Sequence, residues 1–160
     1  MLISKSKRLL KKLLFFGLQS VFLIFLTCLP PALCSAGEIV AIVNKSLNIT
    51  KISFKDLKLI YLGRKKSWPN GEVISIFLPP SKSKPMNFLI FKLLKFSNEG
   101  DLSRFYLKSV FQEVFINPPI SVVDTDFAIA NVMASLGGIA LVEFEKIPKE
   151  SNVTVVHLEE

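Results

Sequence analysis

Ser81-Lys82-Ser83-Lys84 places two hydroxyls and two ammonium groups immediately ahead of Pro85 and an apolar run. Hydroxyls and cations gathered before a helix are groups that can hold a small oxyanion. The same four residues also read as a solvated loop whose lysines keep a helix start in water. A second basic cluster, Arg64-Lys65-Lys66, stands beside Trp68. It suits contact with an anion, a lipid headgroup or an acidic partner, and equally suits an ordinary basic loop around a packed indole. Ser81, Lys82, Ser83, Lys84 and Arg64 are therefore the candidate anion ligands. Trp68, Lys65 and Lys66 are the candidate interaction surface.

Other groups offer less. His157 is the only histidine and lies in an alternating terminal segment, with no second histidine beside it for a metal. Asp124 and Asp126 form a carboxylate pair, but they stand where a helix follows a strand, so capping and dipole roles explain them. Glu143 and Glu145 share one face of an extended segment and are expected to be solvated. Gly137-Gly138 alone is no dinucleotide fingerprint, and Ser35 and Ser46 have no nucleophile-elbow context. Neither catalysis nor a metal or cofactor is expected.

The elements that must position these residues alternate between short apolar runs and helical spacing, an α/β signature. Glu38 to Val43, Val73 to Leu78, Ile120 to Val123, Ile139 to Val142 and Val153 to Leu158 read as strands, the first of them buried on both faces and Ile139 to Val142 buried as well. Helices are expected from about Ser53 to Leu62, Pro85 to Phe96, Asp101 to Val114 and Asp124 to Leu136. On the third of these, Leu102, Phe105, Tyr106, Val110 and Phe111 form the apolar side. Gly63 stands where a left-handed helix cap is needed, and Pro69-Asn70-Gly71 is turn chemistry. The order predicts a mixed sheet of four to five strands with helices on both faces.

Residues 1–36 set the compartment. Lys5, Lys7, Arg8, Lys11 and Lys12 precede an uncharged apolar stretch that Pro30-Pro31 stops and Cys34-Ser35-Ala36 follows, which is a signal-peptide layout with cleavage after Ala36. An uncleaved N-terminal membrane anchor is the other reading, because Leu13 to Leu29 lies at the short limit for crossing a bilayer. Without that segment, residues 37–160 carry 15 Lys/Arg (20 minus 5) against 13 Asp/Glu, so the charge falls from +7 to about +2. A nucleic-acid partner then loses its electrostatic support. Both cysteines leave with the leader, so the remaining single domain must be held by its core.

A family resemblance runs through this order of elements. Ala41 to Gly63, A-I-V-N-K-S-L-N-I-T-K-I-S-F-K-D-L-K-L-I-Y-L-G, is similar to the strand, N-k-s turn and L-x-x-I-F-x-G helix of phosphate ABC transporter substrate-binding proteins. Tyr106 to Phe111 resembles their Y-W-x-x-x-F, Pro119 and Val122 to Asp126 their P-x-x-v-x-s-D, and Gly138 to Val142 their G-A-I-G-Y-V strand. The basic stretch before Trp68 resembles the same junction in that family. The resemblance implies one lobe of a type 2 periplasmic binding protein that binds phosphate or a related anion, without catalysis, in the periplasm or outside the cell. Where the family carries an Arg and a Ser-Gly-Thr-like anion loop, this chain reads Phe77 to Pro85 and has no glycine. With a single lobe, an anion would stay open to water on one side, unless a homodimer or a partner supplied the missing wall. The alternative is an interaction protein that has lost ligand binding and docks on a membrane sensor or transporter.

Overall fold

The structure, a computed structural model, describes residues 37–159. The expected signal peptide, with the alternative anchor, lies outside these residues. Six strands and four α-helices follow: β1 (Ile39–Asn44), β2 (Lys51–Ser53), α1 (Phe54–Tyr61), β3 (Ser75–Leu78), α2 (Lys84–Asn87), α3 (Glu99–Phe111), β4 (Ile120–Ser121), α4 (Thr125–Ala134), β5 (Gly138–Glu143) and β6 (Val153–Glu159). A π-helix over Phe88–Leu94 continues α2.

The six strands form one sheet in the order β2-β6-β1-β5-β3-β4. β1 runs antiparallel to both β5 and β6, whereas β3 runs parallel to β5 and β4, and β2 parallel to β6. The sheet is therefore mixed, as expected, with one strand more than foreseen. The extra strand is β2, whose three residues are too few to show any hydrophobic period.

Both faces of the sheet are covered, and strand alternation divides the core in two. Ala41, Val43, Ile76, Leu78, Ile139 and Leu141 face α1, α2, the π-helix and α3. Val40, Ile42, Phe77, Ala140 and Val142 face α4, which contributes Ala128, Ile129 and Val132. This two-sided burial is why β1 and β5 read as unbroken apolar runs. At the end of β1, buried Asn44 donates from Nδ2 to the carbonyls of Val132 (3.0 Å) and Met133 (3.0 Å), which satisfies the last turn of α4.

Several element boundaries differ from expectation. The helix expected over Pro85 to Phe96 is a short α-turn followed by the π-helix. Its wider turn buries Leu89, Ile90, Leu93 and Leu94 together, and leaves Phe91 and Lys92 outside. α3 starts two residues before Asp101, because Asn98 is the cap: its Oδ1 accepts from Asp101 N–H at 2.9 Å. Val110 and Phe111 are exposed rather than core residues, since Leu102, Tyr106 and Ser109 are the buried side of α3. β3 begins at Ser75 and β4 ends at Ser121, each two residues shorter than the apolar run that contains it.

Candidate functional site

β3, β4 and β5 are parallel to one another, so their carboxyl ends share one edge of the sheet. In open α/β sheets this edge is where ligands are held. Three connections emerge there: residues 79–83 after β3, 122–124 after β4 and 144–146 after β5. The amino end of antiparallel β1 lies at the same edge, where Phe144 N–H donates to Glu38 O at 2.9 Å.

The loop with the candidate anion ligands is occupied by its own contacts. Ser83 caps α2, its Oγ accepting from Met86 N–H at 3.2 Å. Lys82 has a left-handed backbone (φ 60°), and its N–H points to Glu99 Oε2 at 3.4 Å. Ser81 is exposed. Lys84 Nζ pairs with Glu143 Oε2 at 3.4 Å.

Glu143 and Lys146 are the site residues that the sequence did not single out. Glu143, expected to be solvated, is buried with 7% of its surface exposed. It ends β5, and its other oxygen meets Lys146 Nζ at 2.6 Å. These two lysines, Lys146 foremost, hold its carboxyl below the usual carboxylate range despite the opposing effect of burial. Lys146 follows Glu143 at a spacing of three in the sequence, but only the structure shows that Glu143 belongs to the buried run of β5. Lys84 also borders a mostly apolar hollow of about 320 Å³ lined by Ile39, Asn87, Phe88, Phe91 and Lys92.

The second basic cluster is elsewhere. Arg64 follows α1 in a helix-ending motif in which Gly63 (φ 71°) donates to Ile60 O at 2.8 Å and Arg64 to Leu59 O at 2.9 Å. Lys66 O accepts from Ile74 N–H at 2.9 Å, just ahead of β3. Arg64 and Lys66 therefore stand at the amino edge, and the length of β3, about 13 Å for four residues, separates that edge from residues 81–84. Arg64 is not brought into the anion-candidate loop. Trp68 is no interaction surface: it is 3% exposed, and its Nε1 donates to Gly137 O at 3.0 Å. Lys65 pairs with Asp56 at 3.4 Å, while Lys66 is exposed. His157 is exposed on β6 opposite Lys51. Asp124 is the cap of α4, accepting from Phe127 N–H at 2.7 Å. Among the described residues, no three His, Cys, Asp or Glu side chains are grouped to hold a metal ion.

The architecture resembles one lobe of a periplasmic binding protein. Among solved structures, PstS from Borrelia burgdorferi superposes with a TM-score of 0.58 at 16% identity, covering 78% of this chain and 48% of that one. A putative phosphate ABC transporter substrate-binding protein with bound phosphate from Clostridium perfringens gives 0.57 at 13% identity, covering 76% and 45%. A phosphate-binding protein from Stenotrophomonas maltophilia gives 0.54 at 18% identity, covering 76% and 39%. The chain thus spans less than half the length of these proteins, and identity at this level establishes the fold alone. No family model matches the chain, and no curated protein sequence matches it.

Proposed function

We propose that this chain is an exported, non-catalytic, single-lobe relative of solute-binding proteins that serves a protein partner, a membrane sensor or transporter, in place of free phosphate. The observation that carries this reading is the state of residues 81–84: the Ser83 oxygen accepts from Met86 N–H as a helix cap, the Lys82 N–H points to Glu99 and the Lys84 ammonium pairs with Glu143. No glycine allows close backbone approach to an anion in that loop. Leu107 and Phe111 on α3, Ile116, Ile120, Val123 and Phe127 at the start of α4 are exposed large apolar side chains. Exposed apolar side chains in this number suit association better than solvation.

A second reading, reception of phosphate or a related anion with Ser81, Lys82, Ser83 and Lys84, draws support from the phosphate-binding names of the similar structures. A homodimer would then supply the second wall. The two are separated by isothermal titration of the purified protein with phosphate at low salt, beside a Lys82→Ala, Lys84→Ala double variant. The expected result is no saturable heat from either protein at millimolar phosphate. Saturable binding that weakens in the double variant would replace the interaction reading with an anion receptor.

A further inference from the structure

Glu143 is a buried carboxylate whose two oxygens face two different cations. Oε1 meets Lys146 Nζ at 2.6 Å and Oε2 meets Lys84 Nζ at 3.4 Å, while the lysine side chains remain 53% and 69% exposed. The cations stand at the rim and the anion at the floor. Lys84 stands at the start of α2 and Lys146 in the turn after β5, so the carboxylate joins two separate pieces of the edge. Gly37, at φ 87°, leaves room for this arrangement, because a Cβ there would lie 3.2 Å from Lys84 Nζ. Its N–H donates to Glu145 Oε1 at 2.9 Å, which draws the start of the described chain to the same cluster.

A buried charge is tolerated when it is paired, and removing one partner leaves the others uncompensated. Two ammonium groups converging on one carboxylate is also how a free oxyanion would be held. We propose that Glu143 is an internal ligand: a tethered carboxylate occupying the oxyanion position between Lys84 and Lys146, so that this edge is permanently filled and requires no free solute. The inference rests on the reading that the native edge does not receive phosphate. The ligand class that could replace the tethered group is a small carboxylate or oxyanion.

Glu143→Ala removes the carboxylate and leaves a hole of its shape between the Lys84 and Lys146 side chains. Thermal unfolding of the purified protein and of this variant is compared in chloride, formate and phosphate at matched ionic strength. The variant is expected to melt below the native protein in chloride, and to regain about 3–6 °C in formate or phosphate at concentrations well above its Kd. The native protein sets the baseline for non-specific salt effects. Glu143→Gln, which fills the hole without charge, is expected to show no such recovery. Equal responses of the alanine variant and the native protein to formate and phosphate would overturn the internal-ligand proposal and leave the interaction reading standing. If the alanine variant does not fold in chloride, refolding in formate takes the place of the melting shift: recovered circular dichroism supports the proposal, and none overturns it. Saturable phosphate binding by the native protein would instead overturn the reading on which the proposal rests.

Discussion

The ionisation of Glu143 links one side chain to the acid stability of the whole lobe. Its folded-state pKa is lowered by Lys146 and Lys84, so the folded state favours the ionised form. The resulting stabilisation is fully present above the unfolded-state value, about 4.3 for Glu, and is lost as pH falls through the folded-state value. Urea titrations of the native protein and Glu143→Gln should therefore differ most at neutral pH and converge in the acid range. A constant difference between the two down to pH 3 would show that the pair contributes nothing through charge. Burial, rather than sequence position, is what gave Glu143 this role. In the sequence it looked like one of two acids on a solvated face, and nothing local to Glu143 reveals that α2 will deliver Lys84 to it. Trp68 shows the same limit from the other direction: its indole seemed fit for a partner and instead reaches Gly137 across a long separation in the chain.

At the scale of elements, the end of α1 was fully legible. Ile60-Tyr61-Leu62-Gly63 specifies a left-handed residue after the last turn, and Gly63 adopts it. A Cβ at Gly63 would come within 2.7 Å of Phe115 Cε1 and 2.8 Å of Val114 Cγ1. Gly63→Ala should therefore cost about 1–3 kcal/mol through conformation and crowding together, measured as a lower urea midpoint at unchanged slope. A shift smaller than the error of the fit would mean that the segment after α3 yields easily. Caps made by side chains within three residues, at Ser53 and Asp124, were equally readable because the donor and acceptor are neighbours in sequence. What escaped were β2, which exists only because β6 lies beside it, and the π-helical turn, which arises from four apolar residues seeking one sheet face. The cap at Asn98 was local and still missed, because Asp101, three residues on, is a capping residue type as well.

At the scale of the molecule, the mixed sheet with helices on both faces was visible in the order of runs and breakers, whereas the functional surface was not. Phe111 is 81% exposed and Val123 80% exposed, yet their spacing matched that of core residues. Phe111→Asp and Val123→Asp should change stability by no more than about 0.5 kcal/mol, since neither side chain is packed. A photo-crosslinker at Leu107 should capture a membrane protein in cells that produce the full chain, and both substitutions should abolish that adduct. Crosslinking unaffected by the substitutions would remove these residues from the interface. The position of β1 has a kinetic counterpart. This strand lies inside the sheet, and both of its neighbours, β5 and β6, come from the far end of the chain. Until β5 and β6 have been synthesised, β1 has no edge to pair with, and its apolar run must wait as unpaired chain. Loop closure over such separations is slow, so a polypeptide threaded outward in an extended state would complete its sheet only after passage, with no folded lobe formed early enough to obstruct it.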